Sequence, residues 1–177
     1  IFSRRQNPNN SKIGNISLNT CKKMTNTSRI RVGVVLIKNN EILLVSMHRD
    51  SGDIFVLPGG GLELGEGVYE CAIREVKEET NLIVSIEKIL YLKDLCTETD
   101  HALEIVLLGK IIEGEVKKGF DPEAKGKNVL KKVKWTPLKE LSKINFHPKQ
   151  LKELLNSDLQ NKFQDNPKYL GKFKYPE

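Results

Sequence analysis

The chain has 177 residues with a net charge of +6, and 38% of its residues are hydrophobic. This length suits one domain with a substantial core, and no apolar run approaches the ~20 residues that a membrane span needs. The three cysteines, Cys21, Cys71 and Cys96, are scattered without metal-ligand spacing. We therefore expect neither a disulfide framework nor a zinc site, a reduced cytoplasmic compartment, and no membrane contact.

The positive charge is concentrated at the start of the chain. Residues 1–23 hold five basic residues and no acidic one, which leaves 24 basic and 23 acidic residues in the remainder. A nearly neutral remainder makes nucleic acid an unlikely partner. The segment 1–23 is rich in Asn and Ser and lacks hydrophobic periodicity. Three interpretations stay open: an extension from upstream translation or cloning, a disordered basic arm, or a targeting segment.

Alternating, β-branched stretches predict strands along the chain, and amphipathic stretches predict helices. Strands are expected at residues 29–37, 41–47, 56–57, 83–95, 103–112 and 129–135. Helices are expected at residues 68–80, 137–141 and 147–159. This order predicts an α/β (α+β) protein in which a mixed sheet is flanked by helices. We expect one domain over residues 24–160, with an aromatic-containing tail, residues 161–177, docked on it.

The helix at 68–80 carries an unusual row of acids. Glu75, Glu78 and Glu79 are spaced i, i+3 and i+4, so their carboxylates share one face and repel each other. A divalent cation would reverse that cost, because hard cations bind several carboxylate oxygens. We expect the opposite side of the helix to face the core, through Tyr69, Ala72, Ile73, Val76 and Thr80.

A glycine-rich loop precedes this helix. Pro58 is followed by Gly59, Gly60 and Gly61, whose missing side chains allow phosphate or metal to approach the main chain. Together, the loop and the acidic row indicate an enzyme that acts on phosphates. The alternative is a solvated charged helix face, which is what most such charge runs are.

Residues 60–82 resemble the Nudix box, G-x5-E-x7-R-E-U-x-E-E-x-G-U, in which U is aliphatic. The matches are the opening Gly60, Glu66, the run 74–79 (Arg-Glu-Val-Lys-Glu-Glu) and the closing Leu82. The box glycine is replaced by Asn81, which is the next best residue for a left-handed helix cap. We expect this change to affect stability rather than chemistry.

The resemblance implies a Nudix-type α/β/α sandwich. It also implies a Mg²⁺-dependent hydrolase, with Mn²⁺ as an alternative, that cleaves the diphosphate linkage of a nucleoside diphosphate derivative as a monomer or homodimer. By the same resemblance, Glu78 and Glu79 ligate the metal, and Glu75 either ligates it or serves as general base. The carbonyl of Gly59 is a further expected ligand.

The resemblance also assigns supporting roles. Arg74 is expected to hold the glutamate row through charge-assisted hydrogen bonds with Glu70 and Glu78. Glu66 is expected to bond either a first-turn N–H or Arg74, and the substrate is expected to contact Gly59, Gly60 and Gly61 as well as Glu66.

Such enzymes usually have a fourth carboxylate outside the box. Glu123 is the first choice here, unless it merely begins a surface loop, and the alternatives are Glu98, Asp100 and Glu104. Gln150 is a weaker candidate for reading a nucleobase edge. Lysines around Glu123 either steer a polyphosphate or simply face solvent; they are Lys117, Lys118, Lys125, Lys127, Lys131, Lys132 and Lys134.

Other residues are expected to be structural. Trp135 is expected in the core. The three histidines show neither a paired carboxylate nor ligand spacing in the sequence, so surface or structural roles are expected for His48, His101 and His147.

The range of candidate substrates can be narrowed only by elimination. No proline lies between Pro58 and Pro122, so the proline downstream of the box that marks many ADP-ribose pyrophosphatases is missing. A MutT-like nucleotide-sanitising enzyme is the default that remains. The alternatives are a Nudix-fold nucleotide-sensing module without turnover, against which the intact acidic row argues, and an RNA 5′-end pyrophosphohydrolase that would use the basic arm.

Overall fold

The computed structural model describes residues 28–49, 52–96, 100–117 and 130–174. Within them lie seven strands, two α-helices and one 3-10 helix. The strands are β1 (Ser28–Lys38), β2 (Glu41–Arg49), β3 (Gly52–Val56), β4 (Ile83–Cys96), β5 (His101–Glu113), β6 (Leu130–Pro137) and β7 (Lys168–Lys174). The helices are α1 (Val68–Thr80), α2 (Lys149–Gln160) and the 3-10 helix Leu138–Lys143.

The strands form one mixed sheet in the order β3-β2-β1-β5-β4-β7, and β6 pairs with β2 off this path. At the centre, β1 and β5 are parallel, and β4 runs antiparallel to β5. The hairpin turn at Asn39 and Asn40 has positive φ at both residues, 52° and 60°. After this turn, β1 and β2 pair through only Ile37–Ile42 and Lys38–Glu41. The rest of that edge of β1 is left for another segment of the chain.

Helices cover both faces of the sheet. Side chains alternate along β1, so Val32, Val34 and Leu36 pack in the cluster that includes α1, whereas Val35 packs in the cluster that includes α2. The α/β/α sandwich implied by the sequence is therefore confirmed. No helix in the described part of the chain is long and apolar enough to span a membrane.

Most predicted elements are present with shifted ends, and α1 has the predicted bounds. The strand predicted at residues 56–57 is instead β3, which precedes the glycine-rich loop. An additional strand, β7, lies in the segment that was expected to be a docked tail, and it pairs in parallel with β4 through pairs such as Tyr91–Lys168 and Leu95–Phe173. Trp135 is half-buried and packs against the cluster under α1.

The prediction of which face of α1 is buried is partly wrong. Tyr69 and Ile73 are 45% and 39% exposed, whereas Glu75 and Glu79 are each 6% exposed. The helix is rotated about its axis toward the glutamates, with Ala72 and Val76 still in the core. The reason is that main chain, rather than apolar side chains, covers this side of the helix, and main chain offers polar partners to carboxylates.

Candidate active site

The segment 58–62 lies along the free edge of β1. The N–H of Val32 donates to the carbonyl of Gly60 (2.9 Å), and the N–H of Val34 donates to that of Pro58 (2.8 Å). Gly59 has a φ of +149°, and a Cβ there would overlap the carbonyl oxygen of Val32. Glycine is therefore required at this position on two grounds, its backbone conformation and the space available.

Two glutamates of α1 press against this segment. The N–H of Gly59 donates a 2.8 Å hydrogen bond to Oε2 of Glu79. The carboxylate of Glu75 occupies the space that a Cβ on Gly60 would need. The loop and the helix therefore define each other, because the missing side chains let the two buried carboxylates sit directly on main chain.

Arg74 connects two glutamates of the row, Glu75 and Glu78, with Glu66 and with the glycine segment. Its Nε and Nη2 atoms donate to the two oxygens of Glu66, at 2.9 and 3.0 Å. Its Nη1 atom donates to Oε1 of Glu75 (3.0 Å) and to Oε2 of Glu78 (3.2 Å). Nη2 also donates to the carbonyl of Gly61, 3.1 Å away. One guanidinium thus fixes three carboxylates and the loop together.

The expected partners of Arg74 and Glu66 are partly corrected by these contacts. Of the two partners expected for Glu66, the structure has Arg74. Glu70 does not contact Arg74 as expected; it accepts a 2.8 Å hydrogen bond from the N–H of Gly67, the residue that caps the start of α1. Glu70, in the first turn, therefore caps the start of the helix and is not bonded to the arginine of the acidic row.

Charge pairing favours the ionised forms of Glu66 and Arg74. The hydrogen bonds from Arg74 lower the pKa of Glu66 below its ordinary value, and those same bonds raise the pKa of Arg74. Burial raises the pKa of the Cys71 thiol to about 12. Cys71 is therefore a neutral thiol at neutral pH, and its Sγ atom donates to the carbonyl of Gly61 at 3.3 Å.

The far end of α1 shows how the departure from the box is accommodated. Asn81 caps the helix in the left-handed conformation, with φ 64° and ψ 12°. Its N–H donates to the carbonyl of Lys77 (2.9 Å), and its side-chain amide donates to the carbonyl of Glu115 (3.4 Å). Asparagine therefore adopts the backbone conformation that the box glycine would have.

The carboxylates are the donors that a divalent cation prefers. Glu75 and Glu79 are buried, and the side chain of Glu78 is 31% exposed. Within the described residues, no three acidic, histidine or cysteine side chains are grouped closely enough to hold a metal as they stand. Glu75 and Glu78 each accept a hydrogen bond from the same nitrogen of Arg74. The donor chemistry fits a hard cation.

The other predicted carboxylates are not brought to the row. Glu98 and Glu123 lie outside the described residues, so the choice of Glu123 stays a prediction. Asp100 lies 3.7 Å from Arg29 near the start of β5. Glu104 lies on the face of the sheet away from α1, where its Oε2 atom is 2.5 Å from Nζ of Lys93. Gln150 is exposed in the first turn of α2, on the opposite face of the sheet from the row.

The predicted basic region is described only in part. Lys117 and Lys132 are exposed, and Lys134 is half-buried with its Nζ atom 4.4 Å from the centre of the Phe55 ring. Lys118, Lys125 and Lys127 lie outside the described residues, as does the side chain of Lys131.

Two histidines have carboxylate partners that the sequence did not reveal. His48 lies 3.0 Å from Asp53, and His101 lies 2.6 Å from Asp94. His101 and Asp94 lie on the neighbouring strands β5 and β4, so the pairing of these strands brings them together. Both histidines are exposed, which agrees with surface roles.

Sequence reasoning also missed Lys93, which is 1% exposed in β4. A signal for it exists: a lysine stands in an apolar strand where the alternation of side chains predicts a core position.

Comparison with known proteins identifies the family. Residues 27–156 match the NUDIX domain family. The ADP-ribose pyrophosphatase of Methanocaldococcus jannaschii is 33% identical over 130 residues, which cover 71% of this chain and 72% of that protein. The NAD-capped RNA hydrolase NudC of Pectobacterium carotovorum is 29% identical over 90 residues, and this match spans 51% of this chain but only 33% of that protein.

Solved structures agree on the fold. The MutT protein of Methanosarcina mazei Go1 superposes with a TM-score of 0.63 at 20% identity, covering 78% of this chain and 99% of that one. The matched region contains the glycine segment, all of α1 and the central sheet. The chain therefore belongs to the Nudix family and is an enzyme, a Nudix-type pyrophosphohydrolase.

Proposed function

We propose that this enzyme is a Mg²⁺-dependent hydrolase that cleaves the diphosphate linkage of a nucleoside diphosphate derivative. The observation that carries the proposal is the pair of buried glutamates, Glu75 and Glu79, held against the main chain of Gly59 and Gly60. Buried carboxylates need compensating charge. Arg74 supplies part of it, and a cation between the row and a diphosphate would add to it.

The metal would be held by Glu75, Glu78 and Glu79, with the carbonyl of Gly59 as a further ligand. Mn²⁺ can replace Mg²⁺ at such oxygen donors. A bound cation would neutralise phosphate charge and activate water. Arg74 and Glu66 would position the row without contacting the substrate, since their groups are already engaged with each other. Glu123 remains the first choice for a carboxylate outside the box.

ADP-ribose is the first substrate to test. The M. jannaschii relative that bears this name matches over most of both chains, which outweighs the missing downstream proline. A MutT-like activity on oxidised nucleoside triphosphates is the second choice. It follows only from the elimination of other substrates, whereas ADP-ribose is suggested by a similar protein. NAD-capped RNA belongs in the panel because the NudC relative matches half of this chain. It is placed last because the match covers only a third of the NudC protein.

The test is cleavage of these substrates by the full chain with Mg²⁺, with products separated by chromatography. Glu79→Gln should abolish turnover because it removes a charge from the metal row and keeps the side-chain volume. Glu70→Gln is the matched control, since Glu70 lies on the same helix and accepts its hydrogen bond from the N–H of Gly67 at the helix start. Full activity in both variants would overturn the metal assignment. Nucleotide binding by the wild type without cleavage of any substrate would instead favour the sensing module.

A further inference from the structure

Three charged residues form a row across the sheet on the face away from α1. Arg31 of β1 is the direct partner of Glu104 in β5, and Glu104 is the direct partner of Lys93 in β4. Gly61 continues the row, because it forms an isolated antiparallel bridge with Arg31. The row therefore begins at the glycine segment of the active site and crosses three strands. We refer to these three charged residues as the sheet row.

The sheet row occupies positions on a sheet face where apolar residues would be expected. On the same face, the neighbouring positions Val35, Tyr91 and Val106 belong to a buried hydrophobic cluster. Lys93 is 1% exposed, and its Nζ atom is 2.5 Å from Oε2 of Glu104. Burying such a pair costs about as much desolvation as the attraction returns, so an apolar pair would serve stability equally well. The pair therefore calls for a reason other than stability.

The second oxygen of Glu104 lies beside the main chain of Gly33, at a position that the side chain of Leu57 also approaches. Its Oε1 atom is 3.6 Å from the position that a Cβ would take on Gly33. Gly33 in turn adjoins the glycine loop, since a Cβ on Gly59 would lie 2.9 Å from the Cα of Gly33. Gly59 is the residue bonded to Glu79. The main chain of Gly33 and Gly59 thus lies between Glu104 and the metal row, and the side chain of Glu104 is 17% exposed.

This placement suits a group of the substrate that lies beyond the diphosphate. A diphosphate at Glu75 and Glu79 would place its attached sugar near the glycine segment, where Gly59, Gly60 and Gly61 carry no side chains. A carboxylate accepts hydrogen bonds and repels phosphate. Of the donors that such a substrate carries, the sugar hydroxyls are nearest to the diphosphate in covalent structure, and the amino group of a base is further away.

We propose that Glu104, held in place by Lys93, is a specificity residue that accepts hydrogen bonds from hydroxyl groups of the sugar next to the diphosphate. This inference rests on the proposed function and adds a substrate requirement to it. The enzyme selects substrates with an intact sugar diol, and the ion pair fixes the carboxylate so that one oxygen stays directed toward the substrate.

The test compares ADP-ribose with three analogues: one lacking the hydroxyls of the terminal sugar, one lacking the 2′-hydroxyl of the adenosine sugar, and one with hypoxanthine in place of adenine. The wild type should prefer ADP-ribose over one of the two deoxygenated analogues by about 10-fold or more in kcat/KM, because a hydrogen bond to a charged group is lost. Glu104→Gln should remove most of that preference by raising KM for ADP-ribose, with kcat changed less than about 2-fold.

Two variants separate recognition from structure. The double variant Lys93→Met, Glu104→Leu replaces the pair with apolar residues of similar size, so it should stay folded and lose the sugar preference. Glu113→Gln, at the exposed end of β5, should keep it. An unchanged sugar preference in Glu104→Gln or in the folded double variant would overturn the proposal. A change confined to the adenine–hypoxanthine comparison would overturn the sugar assignment in favour of a base contact.

Binding measurements keep this test distinct from that of the proposed function. The α,β-methylene analogues of the same compounds resist cleavage, and their affinities for the wild type and for Glu104→Gln can be measured by calorimetry with Mg²⁺. Absence of cleavage with a hydroxyl-dependent affinity that Glu104→Gln abolishes would reject the hydrolase proposal and retain the role of Glu104. Absence of binding by every analogue would reject both.

Discussion

The main-chain N–H of Gly59 donates a 2.8 Å hydrogen bond to Oε2 of Glu79, twenty residues further along the chain. This bond joins the glycine segment to the buried face of α1. It also explains why the loop and the acidic row belong to one motif: the shape of the loop determines where a helix carboxylate can be buried. Neither element alone would position that carboxylate.

Substitution of Gly59 should therefore disrupt the site. In Gly59→Ala the Cβ would overlap Val32 and crowd Gly33, both through main-chain atoms that sheet hydrogen bonds hold in place. We expect a loss of about 3 kcal/mol or more in the free energy of unfolding, together with loss of turnover. Urea denaturation and the cleavage assay measure the two effects.

Gly65→Ala is the control for backbone strain alone. Gly65 also has a positive φ, 88°, but a Cβ there would meet nothing within 4 Å. We expect a loss of only about 1–2 kcal/mol from the left-handed conformation. Equal losses in the two variants would show that the overlap at Gly59 does not matter.

Arg74 should not be replaceable by lysine. Its three nitrogens bond Glu66, Glu75, Glu78 and the carbonyl of Gly61 at once, which a single ammonium cannot do. We expect Arg74→Lys to remain folded, to lose about 1–3 kcal/mol of stability, and to lose at least about 10-fold in kcat/KM. Lys77→Arg, an exposed change on the same helix, should alter neither quantity measurably. Wild-type turnover in Arg74→Lys would show that the row does not depend on the arginine.

Local signals in the sequence were sufficient for some of this structure. The bounds of α1 follow from the box spacing and from a glycine before and an asparagine after the apolar repeat. The parallel pairing of β1 with β5 joins distant segments and has no local signal. The same holds for β7, which pairs in parallel with β4, a segment far from it in the chain.

The site shows the same division. The composition of the acidic row was readable because its residues are close in sequence. The burial of Glu75 and Glu79 was not, because hydrophobic periodicity assigns charged residues to solvent. Contacts made in the folded protein, such as those with the N–H of Gly59 and with Arg74, supply the polar partners that make this burial possible. Lys93 escaped attention for a similar reason, since its partner Glu104 lies on another strand.

Acid should weaken the protein through Glu66. The hydrogen bonds from Arg74 lower the folded-state pKa of Glu66, whereas the unfolded chain has a pKa of about 4.3. A lowered folded pKa contributes stability that is present above the unfolded value and is lost as the pH falls through the folded value. The stability difference between wild type and Glu66→Gln should therefore be constant from pH 7 to about pH 5 and shrink below it. Urea denaturation at several pH values measures the difference, and one that stays constant down to pH 3 would contradict the pairing.

Asn81 should matter for stability and not for chemistry. Its left-handed conformation is strained for asparagine, but its side chain is bonded to Lys77 and Glu115. Asn81→Gly would relieve the strain and lose these bonds, so we expect a change within about 1 kcal/mol of zero. Asn81→Ala would keep the strain and lose the bonds, which should cost about 1–2 kcal/mol. Thermal denaturation measures both, and a fall in turnover without a fall in stability would show that the cap affects the acidic row.

The C-terminal strand should depend on a buried polar contact far from the site. Asp158 of α2 is 2% exposed, accepts a 2.9 Å hydrogen bond from the hydroxyl of Tyr91, and lies 2.6 Å from Nζ of Lys168 in β7. Burial raises the pKa of Tyr91, so its hydroxyl remains protonated and donates. One carboxylate thus joins α2, β4 and β7.

Removing one partner of this carboxylate should have unequal effects. Tyr91→Phe deletes a single hydrogen bond and leaves the ion pair, so we expect a loss of about 1 kcal/mol. Asp158→Ala leaves the Tyr91 hydroxyl without this acceptor and Lys168 without this carboxylate, so we expect a loss of about 3 kcal/mol or more. Both variants should retain the wild-type kcat/KM while folded, because neither Tyr91 nor Asp158 belongs to the metal row or to the Lys93–Glu104 ion pair. Equal losses in the two variants would show that the ion pair to β7 contributes nothing to stability.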